Sequence, residues 1–226
     1  MIAIRICLAA LVLATVCRAE DPAGNTIQDK MPPARQLAAP RLDQPAPLMA
    51  ALQHRKTSRE MGPGPLTEQQ ISEILWSADG VNRPPNGRTS PSALSVYPVE
   101  IYVVLETGIY VYEPSRQELR GVAAGDHRKT MGGQDFAQTA PLNLVFVMDS
   151  GKYQANQSTA KSNPEDQMRW ASVEAGAQAQ NVYLYCAAEK LAAVIRAGVD
   201  SAKFAAAAKL RPTQKVIIAQ TIGQPR

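Results

Sequence analysis

Apolar positions recur along this chain with two periods, and the alternation between them lays out the elements. Helical spacing begins near Leu48 and runs through Met49 and Leu52 to His54. It returns after Thr67, which can cap a helix carrying Ile71, Ile74 and Leu75 on one face. The period then changes to that of strands: Val99–Leu105 and Ile109–Tyr112, joined by Thr107-Gly108, read as a hairpin, and Pro141–Met148 reads as a buried strand. A long helix is predicted from about Trp170 to Leu191, with apolar groups on most sides, as expected for a central helix enclosed by other elements. Val194 and Ile195 start a short strand or turn. Asp200 or Ser201 caps a further helix through Ala205–Ala208, which Leu210-Arg211-Pro212 ends, and Val216–Ala219 forms a last strand. Strands alternating with helices give an α+β or α/β domain.

Between these elements lie polar stretches. Residues 118–129 hold Asp126, His127, Arg128 and Lys129 without a clear period, and 150–168 reads as a mobile lid or interface loop. Pro84-Pro85-Asn86-Gly87 marks a turn. Twelve of the 17 prolines fall between Pro22 and Pro98, which concentrates the irregular backbone in the first half and makes 20–46 a flexible leader ahead of a domain over 47–226. Ahead of that leader, Arg5 precedes an apolar run, Ile6–Val16, that ends in Cys17-Arg18-Ala19. This is the pattern of a secretory signal peptide over 1–19, with cleavage after Ala19 or lipidation at Cys17, and it places the protein in a bacterial periplasm.

Charge and cysteine content narrow the function classes. Removal of 1–19 takes two arginines and no acid, so the net charge falls from +4 to +2. No basic block with interleaved aromatics appears, which argues against a nucleic-acid binder. Of three cysteines only Cys186 lies beyond the signal, so no internal disulfide is expected, and the two histidines, His54 and His127, are too far apart in sequence to suggest a metal site.

Two clusters offer binding chemistry. Arg55-Lys56-Thr57-Ser58-Arg59 puts three cations and two hydroxyls in five residues. It is either a grip for a phosphate or a solvated helix end with favourable charge. The loop Ser90-Pro91-Ser92 with Ser95 sets small hydroxyl residues on a constrained turn, which suits close approach to a flat polar ligand. Asn181, in the middle of the long helix, is either satisfied by neighbouring backbone or marks a specific contact. Phosphate-binding glycine motifs, a dinucleotide fingerprint and a nucleophile elbow are all missing. Polar loops and arginines without a nucleophile are the pattern of a protein whose cofactor carries the reaction.

Five stretches in order, Arg55–Arg59, Leu75–Arg83, Gly87–Ala93 with Tyr97-Pro98, Ala179–Asn181 and Leu191–Asp200, resemble the flavin-dependent nitroreductase superfamily, and within it the SagB-type branch of thiazole- and oxazole-forming dehydrogenases. The resemblance spans 48–224. It implies a three-layer α+β sandwich with an antiparallel-rich mixed sheet around a long buried helix, assembled as a homodimer with FMN in clefts at the interface. By position it implicates Arg55, Lys56, Thr57 and Arg59 at the FMN phosphate and ribityl chain, Ser90, Pro91, Ser92 and Ser95 beside the flavin ring, and Ile195, Arg196, Ala197 and Gly198 beneath it. Arg226 is either a frayed end or a further phosphate contact, and Arg88 and Tyr97 either orient an anionic or aromatic substrate or serve the structure, at turn carbonyls and under a strand. The implied activity is ping-pong oxidoreduction of a small organic molecule, nitroaromatic, quinone-like or other, through flavin N5, with no catalytic side chain and no metal. Many relatives carry glutamate where this chain has Ala197, which leaves the electron donor as NAD(P)H or a redox partner. It also keeps open an alternative, an exported flavin- or ligand-binding protein without turnover.

Overall fold

A computed structural model describes residues 31–226, apart from 44, 45 and 63. The expectations for the signal peptide, for Cys17 and for residues 20–30 lie outside the described residues. Helix α2 (Glu68–Asp79) starts at a capping box, in which the Thr67 hydroxyl accepts from the Gln70 amide and the Gln70 side chain accepts from the Thr67 amide. Its buried residues Ile71, Ile74, Leu75 and Ala78 follow the helical period. Ahead of it, α1 (Leu48–His54) buries only Ala51 and leaves Leu48, Met49 and Leu52 at 60%, 75% and 45% exposure.

The sheet is assembled around a meander. Strands β5 (Val99–Leu105), β6 (Gly108–Glu113) and β7 (Glu118–Ala124) pair in sequence, and β8 (Leu142–Asp149) lies on the other side of β5. The long last strand β10 (Gln214–Pro225) pairs with β8, and also with β9 (Ala192–Arg196) and β2 (Met61–Gly62). At the far edge β1 (Arg35–Gln36) pairs with β7. A small hairpin, β3 (Val81–Arg83) with β4 (Gly87–Arg88), stands apart. Every pairing among the described residues is antiparallel.

Alternation along the strands feeds two cores. Ile101, Val103, Leu144 and Phe146 face α2 and the 25-residue α5 (Pro164–Ala188). Tyr102, Val104, Val145 and Val147 face the opposite layer, built from α3 (Asp135–Thr139) and α6 (Ser201–Ala207), where Phe204 is fully buried. The result is a three-layer α+β sandwich with a long helix against its sheet, as expected.

Four expectations change. Residues 118–124 form strand β7 rather than a polar loop, because its edge positions are held by ladders to β6 and β1 that local pattern does not contain. Residues 150–168 are packed rather than an open lid: α4 (Ser150–Ala155) buries Tyr153 completely, and Thr159 and Gln167 are buried behind it. Helix α5 begins at Pro164, six residues early, where Asn163 caps the Asp166 amide at 2.8 Å and proline suits a first helical position. It also buries one stripe, including Ala171, Ala175, Ala179 and Val182, while Val173 on its other side is exposed. Of the leader, residues from Met31 belong to the same compact unit as the rest of the domain. Leu37 is buried, Ser72 donates to the Ala38 carbonyl, and Arg41 grips the Glu73 carboxylate with two bonds of 2.8 Å.

No helix among the described residues is long and apolar enough to cross a membrane.

Candidate functional site

The segment after α1 runs past the C-terminal end of α5 and along β9. Its Ser58 amide donates to the Ala193 carbonyl at 2.9 Å. Tyr183, on α5, braces the same junction: its hydroxyl accepts from the Ile195 amide at 2.7 Å and bonds the Thr57 hydroxyl at 3.1 Å. The Arg55 guanidinium lies over the face of that ring, 5.3 Å from its centroid. Thus Arg55 and Thr57, expected as one cluster, meet Ile195, expected as another, through a single tyrosine.

Beside this junction opens a cavity of about 800 Å3, bordered by the end of α1, residues 55–60, the end of α5, the start of β9 and the chain end. Its volume falls in the range of roughly 300–1,000 Å3 typical of small-molecule clefts. Arg55, Lys56, Lys190 and Arg226 supply four cations to its lining against the single acidic side chain of Glu60, and Ser58 adds a hydroxyl. Alanines 50, 51, 187, 188, 192 and 193 give it walls of short side chains. A cationic rim over short apolar walls suits a flat ligand carrying a phosphate, since guanidinium and ammonium groups donate charge-assisted hydrogen bonds to phosphate oxygens. FMN has that chemistry, and the residues present fit it.

Other expected residues are placed differently. Thr57 directs its hydroxyl to Tyr183 and Arg59 is exposed; neither lines the cavity. Strand alternation leaves Ile195 exposed at 37% and turns Arg196 inward. There Arg196 donates to the Thr221 hydroxyl at 2.7 Å, the Met131 carbonyl at 2.6 Å and the Asn143 side chain at 3.2 Å. Burial lowers its pKa to about 10. Its side chain therefore secures the turn from behind. Ala197 and Gly198 are exposed. The Gly198 carbonyl comes so close to Gly132 that a Cβ there would stand 1.7 Å from it, and Gly132 holds a φ of +95°.

The serine loop occupies another side of α5. Asn181 donates to the Thr89 carbonyl at 3.2 Å, which settles its role as a backbone tie. Ser90 is buried and donates to Asp79 at 3.1 Å, while the Ser92 hydroxyl accepts the Tyr97 amide at 2.8 Å. Pro91 and Ser95 are exposed. None of the four lines the cavity. Within one protomer, the basic cluster and the serine loop hang from the same helix at positions two residues apart, roughly 200° around its axis.

Tyr183, Lys190 and Gly132 are the site residues that sequence reasoning passed over. Only Lys190, next to the Leu191–Asp200 stretch, had a signal in its neighbourhood.

Comparison with known proteins follows the same outline. The profile of the nitroreductase family matches residues 52–224. A candidate nitroreductase of Methanocaldococcus jannaschii is 31% identical over 140 residues, covering 58% of this chain and 68% of that protein. Among solved structures, a candidate nitroreductase of Ralstonia eutropha JMP134 superposes with a TM-score of 0.78 at 38% identity, over 85% of this chain and 90% of the other. A chain of the E. coli microcin synthetase McbBCD complex superposes with a TM-score of 0.64 at 19% identity, over 98% of this chain and 85% of that one. The NADPH:FMN oxidoreductase of Vibrio harveyi does so with a TM-score of 0.60 at 17% identity, over 79% and 68%. The last two likenesses are of fold alone.

Proposed function

The chain belongs to the nitroreductase family, and on that premise we propose that it is an FMN-dependent oxidoreductase acting on a small organic substrate. The observation that carries the proposal is the cavity of about 800 Å3 with Arg55, Lys56, Lys190 and Arg226 in its lining. Arg55 and Lys56 would hold the phosphate, with Arg55 already oriented by the Tyr183 ring. The junction of Thr57, Tyr183 and Ile195 would set the distance between the phosphate grip and strand β9. Bound FMN would supply reversible two-electron chemistry that no side chain of this site offers. Ping-pong exchange, with donor and acceptor using one cleft in turn, follows from that placement.

A second copy completes the proposal. The serine loop and the basic cluster do not share a cavity in one protomer, and α1 beside the cavity exposes Leu48, Met49 and Leu52. A homodimer would cover that face and bring loop and cavity together across the interface. Assignment to the SagB-type branch is supported by residues 75–98. Export to a periplasm is supported by the pattern of residues 1–19. Ala197 brings no carboxylate to the turn, which favours a redox partner over NAD(P)H as donor and keeps a binding protein without turnover as the second reading.

Titration of the purified protein with FMN, followed by flavin fluorescence and by mass in solution, tests the reading. Charged hydrogen bonds contribute about 1.5–3 kcal/mol each, so Arg55→Ala with Lys56→Ala should weaken FMN by about 100-fold or more. Wild-type affinity in that variant, or no uptake of FMN by the folded wild type, would overturn it. A donor screen on the loaded dimer then separates the enzyme from the binding protein.

A further inference from the structure

Away from the cavity, a group of polar side chains is sealed inside the protein where α2 ends, residues 88–99 cross, and the middle of α5 passes. Asp79, Glu174 and Gln178 are exposed by 4%, 2% and 0%. Asp79 accepts from the Ser90 hydroxyl, and its other oxygen lies 3.6 Å from the Arg88 guanidinium. Arg88 in turn stacks over the Tyr97 ring, 5.4 Å from its centroid. Glu174 accepts the Val99 amide at 3.3 Å and has the Ser92 hydroxyl beside it. Ser92 accepts the Tyr97 amide, and Lys152 donates to the Tyr97 carbonyl at 3.2 Å. Tyr97 is thus gripped at its amide, its carbonyl and its ring. Leu94, Ser95 and Tyr97 all hold left-handed backbone, with φ of 51°, 56° and 48°. Three such residues in four positions persist only where surrounding bonds over-determine the path.

We propose that Asp79 and Glu174 form a buried carboxylate latch on residues 88–99, which makes them positioning residues for the serine loop and Tyr97. Their relevance to turnover rests on the reading in which this loop borders the flavin; the latch itself does not. Besides each other, the two carboxylates face Arg88 from β4, Tyr112 from β6, and Lys152 and Tyr153 from α4. The Glu174 oxygen Oε2 has no partner among the described residues. Desolvation outweighs the neighbouring donors and raises Asp79 to about 6 and Glu174 to about 7. The ionised carboxylates are the stronger acceptors, so the latch tightens as pH rises through 6 to 7. Because each pKa is raised on folding, the same ionisation lowers global stability between the unfolded values near 4 and the folded ones. Local order and global stability therefore move in opposite directions with pH.

Hydrogen exchange read by mass spectrometry on the cofactor-free chain tests this, with rates corrected for intrinsic exchange and β8 as internal reference. In the wild type, protection of the Tyr97 and Val99 amides should fall about tenfold from pH 8 to pH 5.5 while the urea midpoint rises. Glu174→Gln keeps an acceptor for Val99 but no charge, and its protection should lose most of that pH dependence. A flat wild-type profile, or an unchanged slope in Glu174→Gln, would overturn the proposal; the wild-type profile decides it alone should the variant not fold. FMN titration of the same preparation separates the two readings: a normal exchange profile without FMN uptake keeps the latch and sinks the flavin site, and a flat profile with FMN bound does the reverse.

Discussion

Replacing Tyr183 with phenylalanine removes one hydroxyl from the junction on which the proposed phosphate grip depends. The ring stays, so packing is unchanged at a position exposed by only 6% and the Arg55 guanidinium keeps an aromatic face. What is lost is the acceptor for the Ile195 amide at 2.7 Å and the bond to Thr57 at 3.1 Å. The Ile195 amide points away from β10, its partner strand, so no ladder bond replaces the lost one. A hydrogen bond of this kind contributes about 0.5–1.5 kcal/mol, and an amide left unpaired in a part-buried place costs about 1–3 kcal/mol. A global loss of about 2 kcal/mol follows, seen in urea as a lower midpoint at unchanged m-value. With the Thr57–Tyr183 link lost and only the Ser58–Ala193 bond left between it and β9, the 55–58 segment should hold FMN up to about tenfold more weakly. A midpoint and an FMN affinity both equal to wild type would refute the view that this hydroxyl braces the site.

Three further outcomes are expected. Gly132→Ala forces a Cβ to within 1.7 Å of the Gly198 carbonyl at a φ of +95° and should cost about 3 kcal/mol or more in urea unfolding, with weaker FMN binding, because the 195–198 turn must move. Gly133→Ala, where a Cβ meets nothing within 4 Å, should stay within about 0.5 kcal/mol of wild type. Hydrogen bonds from Arg41 hold the Glu73 carboxyl at about 2, so its contribution is complete above the unfolded value of 4.5 and disappears as pH falls towards 2. The difference in urea midpoint between wild type and Arg41→Ala should therefore close over that window, and a gap unchanged near pH 2 would contradict the assignment.

What could be read without coordinates was whatever a few neighbouring residues decide among themselves. The Thr67 cap and the face of Ile71, Ile74 and Leu75 need only one helix, the hairpin of β5 and β6 only one turn, and β8 only an apolar run. The candidate cluster at 55–59 and the serine loop were visible for the same reason, as dense local chemistry resembling a known family. Strand β7 was not, because Glu118-Leu119-Arg120-Gly121 carries one large apolar residue and becomes a strand only through its ladders. Residues 150–168 looked like a lid because the seal over Tyr153 comes from Trp170 on another helix. Arg196 appeared beside Ile195 as one more site residue, yet strand alternation sends the two side chains to opposite faces, one exposed and the other among Met131, Asn143 and Thr221. Tyr183 and Glu174 had no signal at all, and Asp79 only its place in the 75–83 stretch, since their partners lie 11 to 126 residues away in the chain. Sequence by itself determined the elements whose signals are local, the family likeness and the inventory of cations and hydroxyls. Only tertiary structure decided which of them meet, because the direction a side chain takes from α5 or β9 depends on long-range packing that no local period encodes.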